Sequence, residues 1–173
     1  MNNVITLPVS KTIPVPVRVM LTPFEMFMSN TIGAARRFKC ITEGKKPRHG
    51  FEFEDAWQVD IESARSEMAV AKHLNVFWSG DISSNQSADV GPHQVRSRNK
   101  NPDNYKHKPG SLILHPDDKD EDLFFYVVGT NGAYDIYGWL HGANGKQEKY
   151  WSDPTGNNRH AFFVPVADLG HMP

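Results

Sequence analysis

Two segments in the first half of the chain carry apolar residues at helical spacing, and polar loops separate them. Ahead of them, residues 12–21 alternate apolar side chains with proline and arginine, which favours an edge strand because proline is tolerated there. The run Thr22-Pro23-Phe24-Glu25 then offers an N-cap, a proline at the first helical position and an acidic first turn. The sequence therefore predicts a helix from this run to about Cys40. Its apolar residues at helical spacing are Phe24, Met28, Ile32 and Ala35.

A second helix is predicted from Asp55 to Leu74. Residues 43–50 before it and residues 79–88 after it are polar loops. The apolar stripe of this helix consists of Ile61, Ala64, Met68, Ala71 and Leu74.

From Asp89 onward the pattern changes to short runs that favour strands. The triplet Gln94-Val95-Arg96 follows a Gly91-Pro92 connection, and Gly129-x-x-Gly132 predicts a hairpin turn. Residues 141–160 are polar and contain glycine. Four further runs are apolar or strongly β-prone: residues 111–115, 123–128, 134–140 and 161–166.

This order of elements predicts an α/β (α+β) fold, with a central mixed β-sheet flanked by helices. A chain of 173 residues suits a single domain. We assign the N-terminal strand and helix to residues 1–50 and the core to residues 55–173. No internal repeat is visible in the sequence.

Composition narrows the classes of function. The net charge is −1, from 19 basic and 20 acidic residues, which excludes a protein coated in basic charge and leaves room for a local basic patch. The single cysteine, Cys40, excludes a disulfide framework and a cysteine zinc cage. The longest uncharged run, Leu123 to Tyr134, is too short for a membrane span, and the N-terminus lacks the features of a secretory signal. We therefore expect no membrane association and a cytoplasmic location.

Glu67 is the first residue with unusual surroundings. Its neighbours at helical spacing are Ser63, Ala64, Val70 and Ala71, so its carboxylate would lie along a small, mostly apolar surface. A carboxylate in that position needs a partner or a metal ion. The simpler interpretation is a half-buried glutamate paired with an arginine.

The segment from Asp89 to Arg98 is the second unusual feature. Gln94 and Arg96 would share one face of a strand because side chains alternate with a period of two, and Val95 would face the core. Asp89 lies across the tight Gly91-Pro92 connection. An acid, an amide and a guanidinium group would then meet at one end of a sheet, although an ordinary polar strand face beside a turn remains the alternative.

These two features together resemble the PD-(D/E)XK nuclease superfamily. The resemblance rests on residues 66–74 with Glu67, on Asp89-Val90 and on Gln94-Val95-Arg96. Asp118-Lys119-Asp120 and Gly138-Trp139-Leu140 are similar to segments of small bacterial and phage members. The resemblance extends from about Trp57 to Leu169 and implies a restriction-endonuclease-like fold.

The resemblance also implies a site that hydrolyses DNA with Mg²⁺ or Mn²⁺. Glu67, Asp89 and Gln94 would be the metal ligands, with the Val95 carbonyl, and Arg96 would complete the catalytic set. Two residues depart from the superfamily pattern, because Gln94 stands where an acid is usual and Arg96 where a lysine is usual. Arginine stays protonated and cannot act as a base, but it can hold a phosphate.

A basic segment follows this strand. Its cations are Arg96, Arg98, Lys100, Lys106 and Lys108. Side chains of this kind contact nucleic-acid phosphates, so the segment is predicted to bind DNA, with a solvated loop as the alternative. Asp118 is a candidate for a further site carboxylate.

Three hypotheses therefore stand side by side. The first is a metal-dependent DNA endonuclease-like protein, as a possible homodimer because cutting both strands often uses two sites. The second is a weakened nuclease fold that binds DNA or a protein partner, which Gln94 and Arg96 favour. The third is a phage-type inhibitor or accessory protein.

Overall fold

Helix α1 begins at the cap that the sequence predicts. In the computed structural model, which describes residues 13–45, 53–82, 88–101, 110–154, 156 and 158–170, α1 spans Pro23–Thr42. The Thr22 hydroxyl accepts a hydrogen bond from the Glu25 N–H (3.3 Å), and the Glu25 carboxylate accepts one from the Thr22 N–H (2.7 Å). This reciprocal capping box satisfies two N–H groups that a helix start leaves without partners.

The buried residues of α1 differ from the predicted apolar stripe. They are Ser29, Gly33 and Arg37, whereas Phe24 and Met28 are 71% and 42% exposed. A Cβ at Gly33 would lie 2.6 Å from the Ile61 Cα, so glycine allows the two helices to approach closely here. The polar and small residues of α1 therefore form the packed face.

Helix α2 spans Phe53–Leu74, two residues longer at its start than predicted. Ala64 and Ala71 of the predicted stripe are buried, and Met68 and Leu74 pack against the first core. Together with the buried Val70, these residues place α2 over one face of a β-sheet.

Two sheets contain the seven strands of the described residues. The strands are β1 Val17–Met20, β2 His93–Asn99, β3 Ser111–Leu114, β4 Leu123–Thr130, β5 Ala133–His141, β6 Trp151–Ser152 and β7 Ala161–Pro165. The first sheet has the order β1-β5-β4-β2, in which β2 and β4 are parallel and the other pairs antiparallel. The prediction of a mixed sheet is therefore confirmed, as is the hairpin turn, where Asn131-Gly132 joins β4 to β5.

The second sheet has the order β3-β7-β6. Residues 141–160 contribute more structure to it than their composition predicts. They form the short helix α3 (Gly142–Gly145), a single 3₁₀ turn (Glu148–Tyr150) and β6. Strand β6 pairs with β7, Trp151 opposite Phe162, and so completes the sheet.

Each face of the first sheet covers a separate hydrophobic core. Ala69 and Val70 of α2 pack against Val95, Phe125 and Ile136 on one face. On the other face the second sheet contributes to a core with three β4 residues, Phe124, Tyr126 and Val128. The molecule is thus layered as helices, four-stranded sheet and three-stranded sheet. In the described part of the chain, no helix is long and apolar enough to cross a membrane.

Candidate functional site

Glu67 is buried beneath α1 and forms a bidentate ion pair with Arg36. Arg36 Nη1 lies 2.5 Å from Glu67 Oε1, and Nη2 lies 2.8 Å from Oε2. The Trp78 indole N–H donates a third hydrogen bond to Glu67 Oε2 (3.1 Å). The arginine partner of the simpler interpretation is therefore present.

The surroundings of Glu67 disfavour its ionised form. Burial raises the pKa of Glu67, and the negative charge of Asp89 adds to this, while the bonds from Arg36 and Trp78 oppose it. Arg36 itself is fixed by a further bond, from Nε to the Asp81 carbonyl (2.9 Å). This acid is thus held by one guanidinium group and repelled by a second acid.

Asp89 lies at the outer edge of β2. Its N–H donates to the His93 carbonyl (2.9 Å), and its Oδ2 accepts the Val95 N–H (2.7 Å). Asp89 is therefore bonded to the edge of β2 that does not face β4. Burial raises the pKa of Asp89 and Asp122 adds to the effect, while the Val95 N–H, Arg96 and Arg36 lower it.

Gln94 and Arg96 lie on the sheet face opposite the helices. The Arg96 guanidinium lies 5.1 Å from the centre of the Phe124 ring, which belongs to the second core, whereas Val95 belongs to the first. Arg96 Nη2 donates to Asp118 Oδ1 (2.6 Å), and Gln94 Nε2 donates to Asp122 Oδ2 (3.2 Å).

The four predicted residues thus surround the edge of β2 from three directions. Glu67 comes from the helix layer, Asp89 lies at the edge itself, and Gln94 and Arg96 lie on the opposite face. Hydrogen bonds divide them into two groups, one held by Arg36 and one held by Asp118 and Asp122. Asp89 is within electrostatic range of both groups.

The charges of this cluster do not cancel. Its ionisable side chains are Glu67, Asp89, Asp118, Asp122, Arg36 and Arg96. When all are ionised, four carboxylates face two guanidinium groups, a surplus of two negative charges. Within the described residues, no group of three or more His, Cys, Asp or Glu side chains is arranged to hold a metal ion.

The predicted DNA-binding cations are only partly within the described residues. Arg98 and Lys100 are exposed, and alternation places Arg98 on the same strand face as Arg96. The Arg98 guanidinium passes so close to Gly110 that a Cβ there would lie 2.1 Å from Nη1. Lys106 and Lys108 lie outside the described residues.

Sequence reasoning missed three residues of this cluster. Arg36 and Trp78 hold Glu67, and Asp122 holds Gln94. The buried position of Glu67 indicated that it needs a cation, but the chain has many arginines and nothing in the pattern distinguishes Arg36. Asp122 ends the acidic run Asp117–Asp122, in which nothing distinguishes one acid from its neighbours.

A second buried acid, Glu62, was also missed. It is 1% exposed and accepts hydrogen bonds from Arg65 (2.6 Å), Thr130 (3.2 Å) and the Tyr134 hydroxyl. Burial and the bond to Glu62 raise the pKa of Tyr134. This network joins α2 to the β4–β5 hairpin and is structural.

Comparisons of the chain with protein-family models, with curated proteins and with solved structures match none of them. Its function is therefore inferred from the residues around the edge of β2.

Proposed function

We propose that the chain is a metal-dependent DNA endonuclease-like protein that hydrolyses phosphodiester bonds at the edge of β2. One arrangement carries the proposal: Glu67, buried on the helix α2 that packs on β2, and the half-buried Asp89, bonded to the edge of β2, are two carboxylates beside one strand, and the charge of Asp89 contributes to the raised pKa of Glu67. Perturbed pKa values concentrate at functional sites.

The donor set fits a divalent cation. Mg²⁺ is usually held by one or two carboxylates together with water, and Asp89 and Glu67 provide two. A carboxylate has about four acceptor positions, of which the Val95 N–H uses one on Asp89. Mg²⁺ or Mn²⁺ bound there would supply an activated water and stabilise charge on the phosphate.

Arg96 is the residue suited to hold the scissile phosphate. A guanidinium group has five N–H donors, and the bond to Asp118 uses one of them. The stacking of Arg96 over Phe124 and the bond to Asp118 fix its position before DNA binds. Such pre-positioning favours stabilisation of charge that develops during the reaction. Gln94 would contribute a neutral oxygen to the cation.

The fold, partner and location that we propose follow from the resemblance to the PD-(D/E)XK nuclease superfamily. We assign the fold to a restriction-endonuclease-like arrangement, DNA as the partner, and the cytoplasm of a bacterial or phage-infected cell as the location. A homodimer would allow two such sites to act on the two strands.

A nicking assay tests the proposal. Supercoiled, linear and branched DNA would be incubated with the wild type, with Asp89→Asn and with Asp117→Asn, an exposed acid of the acidic run, in Mg²⁺, Mn²⁺ or EDTA. We expect nicking only with a cation, a loss of about 100-fold or more in Asp89→Asn, and full activity in Asp117→Asn. Nicking that persists undiminished in Asp89→Asn would overturn the site assignment.

A second candidate function is a DNA- or protein-binding module with weakened chemistry. The bidentate Arg36–Glu67 pair favours it, because Arg36 already supplies the positive charge that Glu67 needs. Binding shifts run beside the nicking assay separate the two functions. Unchanged DNA affinity with and without Mg²⁺, and no nicking under any condition, would favour the module.

A further inference from the structure

The second sheet carries an open aromatic groove at Trp151 and Phe162, beside the second core. A cavity of about 380 Å³ is lined by Pro116, Lys146, Glu148, Trp151 and Phe162. This volume lies in the range of sites that hold small molecules. The proposed hydrolytic chemistry makes no use of any of these residues.

Two rings, Trp151 and Phe162, line the groove, and His160 packs against Trp151. Trp151 stacks on His160, with ring centres 5.5 Å apart and planes 23° apart, and lies 4.7 Å from Phe162. Trp151 is nevertheless 41% exposed. An exposed indole that is supported from behind by other rings presents a firm, flat apolar surface to a ligand.

The turn that contains Pro116 and Asp118 connects the groove to Arg96, the residue proposed to bind phosphate. The Lys146 ammonium binds the carbonyl groups of Pro116 (3.3 Å) and Asp118, and the Asp118 carboxylate holds Arg96. Lys146 and Pro116 therefore belong both to the groove lining and to the support of Arg96. A DNA strand whose phosphate meets Arg96 has the groove beside it.

The polar groups around the groove indicate which class of ligand it binds. The Glu148 carboxylate lies at the edge of an otherwise apolar groove, whereas the Lys146 ammonium is already bonded to Pro116, Asp118 and Asp120. A nucleobase matches this arrangement, since its faces stack on aromatic rings and an amino group on its edge can donate to a carboxylate. Lys149 belongs to the same 3₁₀ turn as Glu148, with its ammonium 4.6 Å from the centre of the Tyr150 ring, and adds a positive charge beside this acid.

We propose that this cavity, the Trp151 groove, binds one unpaired nucleobase of a DNA strand that occupies the edge of β2. The inference deepens the proposed function, on which it rests, by giving the site a preference for DNA with unpaired bases. Stacking of a base on Trp151 positions the neighbouring phosphate at Arg96.

Binding in EDTA to two oligonucleotides tests the inference without any chemistry. One is a labelled single strand with bases, and the other has the same length and phosphates with abasic sugars. The proteins are the wild type, Trp151→Ala, Trp151→Phe and Phe27→Ala, an exposed aromatic of α1 as the matched control. Circular dichroism would confirm that each variant folds.

We expect Trp151→Ala to lose about 5- to 150-fold in affinity for the strand with bases and nothing for the abasic strand, because base stacking contributes about 1–3 kcal/mol per base. Trp151→Phe should recover part of the loss, and Phe27→Ala should match the wild type. Equal losses for both strands, or no loss for either, would overturn the inference. Nicking measured separately distinguishes failure of the groove from failure of the proposed function.

Discussion

Arg36 and Glu67 join the two long helices through two parallel N–H···O bonds, 2.5 and 2.8 Å long, in a setting where the side chain of Glu67 is 5% exposed. This geometry fixes both charges, because a guanidinium group matches a carboxylate in two places at once. The same pair decides how available Glu67 is to any other cation. Arg36 therefore links the packing of the helices to the chemistry proposed for the edge of β2.

Breaking this pair from one side should be costly. We expect Arg36→Met to lower the free energy of unfolding by about 3–5 kcal/mol, because it leaves the buried Glu67 carboxylate without a partner. Arg36→Met combined with Glu67→Met should recover most of the loss. Urea unfolding of these two variants, of Glu67→Met alone and of the wild type completes the double-mutant cycle. A loss below about 1 kcal/mol in the single variant, the scale of surface pairs, would contradict the buried geometry.

Stability should depend on pH through Asp89. Because burial raises its pKa above the ordinary 3.8, the folded state binds the proton more tightly than the unfolded state. The stability that this provides is full below about pH 3.8 and is lost as pH rises through the folded-state pKa. Asp89→Asn removes this loss, so the stability of the variant relative to the wild type should increase as pH rises above about 3.8.

Glu43 provides the control for this measurement, because a hydrogen bond from Lys45 lowers its pKa. A lowered carboxyl pKa gives stability that is present at neutral pH and lost in acid, so Glu43→Gln should show the opposite sign and a small amplitude. Parallel pH profiles for Asp89→Asn and the wild type would show that Asp89 does not carry the raised pKa.

For the cluster around the edge of β2, the sequence predicted which residues take part better than it predicted their arrangement. The apolar neighbours of Glu67 predicted that it would need a cation, and the two-residue period predicted that Gln94 and Arg96 share a face. The period could not say which sheet face that is, because both faces of the first sheet cover a core. Arg96 lies on the face opposite the helices, where Asp118 is its partner.

The packed face of α1 shows why the helix register was harder to predict. Hydrophobic spacing favoured Phe24 and Met28 as inward-facing residues, but Ser29, Gly33 and Arg37 are the buried ones. Arg37 Nη2 lies 2.6 Å from Asp60 Oδ2, and Gly33 allows close approach of α2. A helix that packs through ion pairs and a glycine does not show its packed face in apolar periodicity.

Glu62 should be among the most sensitive positions in the fold. We expect Glu62→Gln to lower the free energy of unfolding by about 3–5 kcal/mol, since it leaves the mostly buried Arg65 without its counter-charge. Tyr134→Phe should cost less, about 1–2 kcal/mol, because it removes one hydrogen bond. Chemical unfolding would measure both. Lys45→Ala, which breaks an exposed pair with Glu43, should change stability by less than about 1 kcal/mol.

The basic segment should control the salt dependence of DNA binding. Replacing Lys100, Lys106 and Lys108 together with alanine should reduce the slope of log affinity against log salt by about one unit for each phosphate that the protein no longer neutralises. Fluorescence anisotropy across a salt series would measure this slope, with Lys45→Ala, just beyond the C-terminal end of α1, as the control. An unchanged affinity and slope would exclude these lysines from the interface.

Gln94→Glu distinguishes the two proposed functions. Gln94 donates to Asp122 in the wild type, so a glutamate there places two carboxylates side by side and adds one negative charge near Asp89. In EDTA this repulsion should lower the melting temperature. For an endonuclease-like site, Mg²⁺ should raise the melting temperature of Gln94→Glu more than that of the wild type, because binding to the folded state stabilises it. Nicking should then be retained or faster.

A binding module makes the opposite prediction for the same variant. The added charge should repel phosphate and weaken DNA binding, and Mg²⁺ should not restore the melting temperature. Asp89→Asn should be measured in parallel. If Asp89 is the main ligand of the cation, this variant should lose the response to Mg²⁺, because Asp89 carries a negative charge and Gln94 does not. A Mg²⁺ response that survives in Asp89→Asn but vanishes in Gln94→Glu would reverse the roles assigned to these residues.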